Sequence, residues 1–366
     1  HANVHVIMTE NACNFINPIT FETLTGNKCL VDTFDRNFQF NVEHVSLAKL
    51  ADIFLVAPAS ADVIGKIANG IADDMLTTTI MACKCPKLIS PAMNTNMFTN
   101  PIVQDNLKKL EHYGYEIIQP DSGYLACGDT GAGKMPSEQV LLNYILRTIA
   151  KDKDMAGIKL TVTAGPTREK LDPVRFLSNN STGKMGYAIA KMAMLRGADV
   201  TLISGKVSLE PVPFVKMVDI VSAEDMYNAV IKSAKDADII IKAAAVADYR
   251  PSDVSDEKIK KKDGDMSIPL ERTKDIIGTL GSNKRDGLFL CGFSMETEHM
   301  LDNSKVKLTK KNLDMIVANN VKVAGAGFGT DTNVVTVITK DAVEELPMMS
   351  KEEVADALLD RIMKAR

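Results

Sequence analysis

Gly197-Ala198-Asp199-Val200-Thr201-Leu202-Ile203-Ser204 is a β-branched run entered directly from a helical pattern over 185–196. A strand reached from a helix across so short a turn reads as part of a β-α-β unit, and the same alternation recurs along the chain. Ahead of the helix, 158–164 supplies the preceding strand. After it, strands are predicted at 214–220, 238–244, 288–293, 315–318 and 334–339. The last helix opens with Ser350 and Glu353 in capping-box spacing and sets Val354, Ala357, Leu358 and Ile362 on one face. In the first half, strands predicted at 4–8, 52–57, 87–90 and 115–119 alternate with helices near 61–70, 101–113 and 137–150.

This periodicity predicts an α/β protein of two Rossmann-like domains with mainly parallel sheets, over 1–150 and 158–366, joined by a charged linker at 151–157. His1-Ala2-Asn3-Val4-His5-Val6-Ile7-Met8 repeats the pattern of 197–204 with nothing ahead of it. The first domain is therefore expected to lack its opening strand and helix. The phosphate-holding loop that commonly follows the first strand of a doubly wound sheet is expected to be missing with them.

Composition narrows the function. With 366 residues, 45% hydrophobic and 25% charged, and a formal net charge of −4, the chain gives no global electrostatic reason to bind nucleic acid or an anionic membrane. No apolar run reaches the roughly 18 residues that span a bilayer. Six cysteines show no disulfide framework, and Cys83 and Cys85 form a lone C-x-C, so reduced thiols in a cytoplasmic protein are expected.

Three clusters in the first half carry chemistry. His44 lies in Val42-Glu43-His44-Val45-Ser46. Pro91-Ala92-Met93-Asn94-Thr95-Asn96-Met97 falls at the C-terminal end of a predicted strand, where open α/β sheets bind ligands. An Asn there hydrogen-bonds a carboxylate or closes an Asx-turn. Ser122-Gly123-Tyr124-Leu125-Ala126-Cys127-Gly128-Asp129-Thr130-Gly131-Ala132-Gly133-Lys134-Met135 reads as a glycine-rich flap with Cys127 as its proton donor or nucleophile, or as a plain connector holding an ordinary thiol. Within it, Gly128-x4-Gly133-Lys134 imitates a P-loop, but Met135 stands where Ser or Thr would bind Mg²⁺.

These clusters resemble the flavin-dependent cysteine decarboxylases, specifically phosphopantothenoylcysteine decarboxylase. The likeness runs through Met8-Thr9-Glu10, Pro18-Ile19-Thr20-Phe21, Ala57-Pro58-Ala59-Ser60-Ala61-Asp62, Ala68-Asn69-Gly70-Ile71-Ala72-Asp73-Asp74, and the two later motifs in family order. The resemblance implies a flavodoxin-like fold and FMN. It also implies His44 as active-site base, Asn94 gripping the substrate carboxylate, and Cys127 protonating the enethiol intermediate. Oxidation of the cysteinyl thiol to a thioaldehyde makes an electron sink, so CO₂ can leave; the enethiol is then protonated and reduced by the same flavin.

In the second half, Leu160-Thr161-Val162-Thr163-Ala164-Gly165-Pro166-Thr167-Arg168-Glu169 runs from a strand into a Gly-Pro turn. Asp172-Pro173-Val174-Arg175 and Ser178-Asn179-Asn180-Ser181-Thr182-Gly183-Lys184-Met185-Gly186 follow. Small polar residues ahead of a helix make an anion cradle or an ordinary N-cap. Ala243-Ala244-Ala245-Val246-Ala247-Asp248-Tyr249-Arg250 brings an acid to a strand end, and Glu257-Lys258-Ile259-Lys260-Lys261-Lys262 is either solvated surface or a supply of cations of the kind a triphosphate requires. Lys307 and Lys311 share one helix face ahead of Asn312-Leu313-Asp314.

This half resembles phosphopantothenate–cysteine ligase. The resemblance implies that CTP activates the carboxylate of 4′-phosphopantothenate as an acyl-cytidylate, and that cysteine displaces CMP. The 4′-phosphopantothenoylcysteine so formed is the substrate of the decarboxylase. On the matching positions, Asn179 would hold the acyl-cytidylate, and Lys258 would work on the triphosphate with Mg²⁺, whose ligands are unassigned. Asp248, Lys307 and Lys311 would contact the nucleotide, with Lys242, Ala243, Ala244 and Phe293 lining its base and ribose pocket. Lys274-Asp275-Ile276-Ile277 would touch it too, Lys274 replacing the Pro usual in the family. A homo-oligomer is implied, built on a trimeric decarboxylase core and dimeric ligase units. Two other readings are a non-catalytic regulatory protein on the decarboxylase fold and an NAD(P)-binding oxidoreductase; the second lacks the G-x-G-x-x-G fingerprint.

Overall fold

The computed structural model describes residues 2–34, 43–125, 128–260, 266–296, 300–320, 327 and 329–366, and the chain divides into two units, His1–Ala150 and Lys151–Arg366. The first unit runs α1 (Pro18–Thr25), α2 (Glu43–Leu50), β1 (Phe54–Ala59), α3 (Ala61–Ala68), α4 (Met75–Ala82), β2 (Lys87–Pro91), α5 (Thr95–Phe98), α6 (Pro101–His112), β3 (Glu116–Ile117), β4 (Asp121–Tyr124), β5 (Thr130–Lys134) and α7 (Glu138–Ile149). Its helices begin where side chains supply caps. Ser60 accepts from Val63 N, Asp74 and Thr77 close a capping box, and Asn100 precedes Pro101 at the first turn of α6. Strands β1, β2 and β3 form a parallel sheet in that order. Val63, Ile64 and Ile67 of α3 pack with Leu107 and Leu110 of α6 over one cluster, while Leu88, Ile118 and Leu141 form a second. Each such side chain removed from water contributes about 1.5–3 kcal/mol.

One expectation for this unit changes. Residues 4–8 form no strand; Ile7 makes one isolated parallel bridge to Leu30, and the paired backbone is limited to Val6, Met8 and Leu30. The expected glycine-rich flap takes the form of an antiparallel hairpin in its described residues, β4 against β5, with Tyr124 opposite Thr130. Lys134 ends a strand, not a loop entering a helix, which removes the P-loop reading.

The second unit comprises β6 (Lys159–Ala164), β7 (Arg168–Lys170), β8 (Phe176–Ser178), α8 (Lys184–Leu195), β9 (Asp199–Ser204), β10 (Lys216–Asp219), α9 (Ala223–Ser233), β11 (Ile239–Lys242), β12 (Tyr249–Pro251), β13 (Leu270–Arg272), α10 (Ile276–Ser282), β14 (Phe289–Glu296), α11 (Met300–Lys310), β15 (Met315–Asn320), β16 (Thr332–Asn333), β17 (Val335–Thr339), β18 (Val343–Glu345), β19 (Met349–Ser350) and α12 (Lys351–Ala365). Its large sheet has the order β10-β9-β6-β11-β14-β15-β17-β18, parallel except for the last two strands. The six parallel strands thus follow the doubly wound order, which reverses between β6 and β11 and opens a crevice at their C-terminal ends. Alternation along the strands feeds two cores. Leu160, Val162, Ile239 and Ile241 face α8 and α12, whereas Ile240, Ile203 and Leu290 face α9, α10 and α11. The stretch 151–157 belongs to this packing: Met155 is fully buried, Lys151 pairs with Asp356 at 2.5 Å, and Asp154 pairs with Arg196.

Candidate functional sites

In the first unit the hairpin and the strand end of β2 are fastened together. Met93 N donates to Gly133 O at 3.0 Å, and Asn94 Nδ2 donates to Asp129 Oδ2 at 3.2 Å. A β-carbon on Gly133 would stand 2.1 Å from the Met93 carbonyl oxygen, so only glycine permits the contact. Asn94 also caps α5, its Oδ1 accepting from Asn96 N at 2.8 Å. The expected Asx-turn is therefore present, while the Nδ2 group faces Asp129 of the hairpin. His44 is half-buried on α2, without a hydrogen-bond partner among the described residues. Cys127 lies outside the described residues.

Two orphaned polar atoms mark the same region. Ser90 is fully buried at the end of β2, and its Oγ finds no partner among the described residues; Thr95 Oγ1 beneath the hairpin is in the same position. Ala57, Pro58 and Ser60 stand exposed at the C-terminal end of β1. Small apolar residues uncovered beside an unsatisfied hydroxyl form a shelf suited to a planar, polar-edged group.

In the second unit the switch-point crevice holds a cavity of about 120 Å³, lined by Gly183, Ala243, Ala244, Ala245, Phe293 and Asn319 among others. Helix α8 points its N-terminus here with Gly183 as N-cap and no side-chain cap, leaving its first N–H groups unfilled. Asn319 Oδ1 is buried there without a partner among the described residues. Lys351 is buried at the wall and donates to Gly327 O at 2.9 Å and to Thr330 O, while Lys184 donates to Asp331 at 2.7 Å and Gly329 O at 2.9 Å. Burial pulls the Lys351 ammonium below its ordinary pKa, and Lys184 adds repulsion that Asp331 only partly opposes. Asn179 hangs over the crevice, its Nδ2 donating to Ala245 O at 3.1 Å.

Beside this cavity a charged group gathers from sequence-distant elements. Lys242, at the end of β11, is held below its ordinary pKa first by burial and then by repulsion from Lys311 and Lys307, against attraction from Asp275 and Asp248. Asp275 caps α10 through Gly278 N at 3.0 Å and pairs with Lys311 at 2.9 Å. Its burial raises the carboxyl, but the Lys311 and Gly278 hydrogen bonds outweigh this and leave it below the usual range. Lys307 donates to Ser294 Oγ at 3.3 Å, and Asp248 O accepts from Thr273 N at 3.0 Å.

Of the expected nucleotide residues, Lys242, Asp248, Asp275, Lys307 and Lys311 therefore share one electrostatic neighbourhood, and Ala243, Ala244 and Phe293 share one cavity. Ile276 and Ile277 are buried core residues of α10, so only their backbone is free to meet a ligand. Lys274 turns away, to Glu224 at 2.7 Å and over the Tyr227 ring at 4.9 Å. Lys258 is exposed. Sequence reasoning missed Lys351, Asn319 and Asp129. The first two sit on a helix start and a strand end with no motif of their own, whereas Asp129 lay inside a quoted motif without a role. Among the described residues, no group of three or more His, Cys, Asp or Glu side chains is placed to hold a metal ion. The loop after β6 leads into the β7–β8 hairpin before α8, which is not the strand-to-helix turn of an NAD(P) site.

An open-sheet unit with an anchored hairpin, followed by a doubly wound unit with a cationic switch-point crevice, defines a two-domain α/β enzyme. The flavoprotein family model matches residues 1–150, and the model of the DNA/pantothenate metabolism flavoprotein C-terminal domain matches 155–365. The coenzyme A biosynthesis bifunctional protein CoaBC of Bacillus subtilis is 47% identical over 99% of this chain and 90% of its own length. A cysteine/cysteine sulfinic acid decarboxylase from an unknown prokaryotic organism is 42% identical over 95% of this chain and 99% of its own. The crystal structure of the C-terminal domain of a CoaBC protein superposes with a TM-score of 0.50 at 44% identity, covering 58% of this chain and 97% of that one. The chain belongs to the family of bifunctional coenzyme A biosynthesis enzymes.

Proposed function

We propose that the second unit joins cysteine to 4′-phosphopantothenate with CTP as the activating nucleotide. The convergence of Lys242, Lys307, Lys311, Asp248 and Asp275 beside the switch-point cavity carries this reading. The 4′-phosphate is expected at the uncapped N-terminus of α8, near Lys184 and Asn319, where N–H groups and a helix dipole favour an anion. An oxygen of the pantothenate carboxylate attacks the α-phosphorus of CTP and the bond to pyrophosphate breaks. The cysteine amine then attacks the acyl carbon, CMP leaves, and the amine loses its proton. Lys258, Lys307 and Lys311 offset the charge that builds on the departing pyrophosphate, and Asn179 holds the mixed anhydride. Mg²⁺ bound with the nucleotide would offset further negative charge, and the exposed Asp248 is the carboxylate that would help hold it. Incubation with CTP, Mg²⁺, 4′-phosphopantothenate and cysteine tests the reading; a folded protein that yields neither pyrophosphate nor amide refutes it.

The first unit then decarboxylates the product, 4′-phosphopantothenoylcysteine. Bound FMN supplies two-electron oxidation and re-reduction at the thiol-bearing carbon. Ala57, Pro58, Ser60 and the unpaired Ser90 hydroxyl fit the flavin ring. Asn94 grips the substrate carboxylate, His44 takes a proton, and Cys127 returns one to the enethiol. CO₂ release that disappears in Asn94→Ala supports this assignment, and unchanged release removes it. The relative named as a cysteine/cysteine sulfinic acid decarboxylase makes cysteine the control substrate. The enzyme works as a cytoplasmic homo-oligomer, trimeric through the first unit and dimeric through the second, a state that analytical ultracentrifugation reads directly.

A further inference from the structure

Asp172 and Arg175, in the turn between β7 and β8, form a charged pair that the reaction scheme above does not use. The Asp172 side chain is completely buried. Its Oδ1 accepts from Val174 N and Arg175 N, each at 2.8 Å, which fixes the turn as an Asx-type loop. Its Oδ2 accepts from Arg175 Nε at 2.9 Å and Nη2 at 2.6 Å. These bonds alone would complete the turn.

The pair nevertheless reaches across to a remote segment. Ile259 N donates to Asp172 Oδ2 at 3.2 Å, and Arg175 Nη2 donates to Ile259 O at 2.6 Å. Both backbone groups of the residue after Lys258 are thereby held by one ion pair. On the other side of Lys258, Ser255 N donates to Leu171 O at 3.2 Å and Ser255 Oγ to Glu257 O at 2.6 Å. Burial raises the Asp172 carboxyl, but the guanidinium and the three N–H groups more than reverse this, holding it well below the usual carboxylate range. The charge that grips Ile259 is therefore permanent at neutral pH. Between these fixed points, the Lys258 ammonium is exposed, with no hydrogen bond or ion pair to the described residues.

A pinned backbone with an uncommitted cation at its centre is a preorganised charge. Ordering a free loop and a lysine side chain together would cost the backbone entropy of every loop residue, plus the rotamer entropy of the side chain. Fixing the backbone in advance leaves only the side chain to be ordered when an anion arrives.

We propose that Asp172, acting with Arg175, is a positioning residue for Lys258: it holds the lysine's backbone so that the ammonium meets the nucleotide phosphates. The inference rests on the assignment of Lys258 to the triphosphate. Its test is a double-mutant cycle in the full-length chain, read as pyrophosphate release at varied CTP. Lys258→Gln is expected to cost at least about a hundredfold in kcat/KM. Asp172→Asn is expected to cost about tenfold to a hundredfold, the range of a misplaced group, with the thermal midpoint of the second unit recorded beside it. If Asp172 works through Lys258, the double variant is no slower than Lys258→Gln alone, and trypsin cuts after Lys258 faster in Asp172→Asn than in the wild type. Should Asp172→Asn fail to fold, Arg175→Lys keeps the charge, loses the fork, and enters the same cycle. Losses that multiply in the cycle overturn the positioning role while leaving Lys258 in place. A fully active Lys258→Gln removes the assignment of Lys258 itself, and the positioning role with it.

Discussion

At Gly133 a backbone φ of 134° and a neighbour 2.1 Å from the missing β-carbon leave no room for any other residue. The contact presses the hairpin against Met93 and so sets Asn94 beside Asp129. Gly133→Ala is expected to lift the hairpin, at about 1–3 kcal/mol of strain or displacement. CO₂ release should fall at least about tenfold, while pyrophosphate release by the same molecules stays unchanged and serves as the internal control. Equal loss of both activities would mean general misfolding instead. Lys242 makes an opposite kind of prediction. Its folded-state pKa lies below the ordinary lysine value, so the unfolded chain binds more protons in that window and stability rises with pH there. Lys242→Met should therefore melt higher than the wild type at pH 7. The gap should close as pH climbs toward about 10.4, the ordinary lysine pKa. The same variant should need more CTP for half-maximal rate, and a lower melting point at pH 7 would show that its carboxylate neighbours outweigh burial.

Helix α8 shows what an element adds beyond its residues. Its core face packs so tightly on β6 that a β-carbon on Gly186 would lie 2.6 Å from Ala164 Cβ and 2.9 Å from Thr163 O. Gly186→Ala must push the first turn outward, away from the cavity its N–H groups face. The expected result is a rise of about tenfold or more in KM for 4′-phosphopantothenate, with a smaller change in KM for cysteine, because anion binding at a helix N-terminus falls off within one turn. The helix itself was legible in the sequence, since its small polar entry and apolar face both follow local rules. Lys351 and Asn319 were not, because the cavity takes them from a helix start and a strand end over a hundred residues downstream of Gly183. That the flap is built as the hairpin β4–β5 was not legible for a related reason. Glycine has low strand propensity, and only tertiary contacts explain the glycines of β5: Gly131 lies against Thr95 and Gly133 against Met93. Residues 4–8 erred the other way: their β-branched pattern suits a strand, but pairing takes a partner, and among the described residues Leu30 alone provides one.

For the whole molecule, the alternation of strands and helices made the α/β class and the two-unit layout legible, because period and spacing are local properties. What sequence could not supply was the ownership of 151–157, whose charge and polarity suggest a tether. Met155 is fully buried in the core beneath α8 and α12, and Arg196 gathers Asp154 and Asp360, the latter at 2.7 Å. Burial of a methionine is a tertiary outcome that no local pattern announces. The consequence concerns where the second unit can be separated. A piece spanning 151–366 is expected to fold and to release pyrophosphate at the rate of the intact chain. A piece starting at 158 would lose Met155 from the core, at about 2–5 kcal/mol, and leave the buried Arg196 without its Asp154 partner. Its thermal midpoint should fall well below that of the longer piece, and denaturant midpoints measured on the two provide the check. Equal midpoints would return 151–157 to the role of a tether.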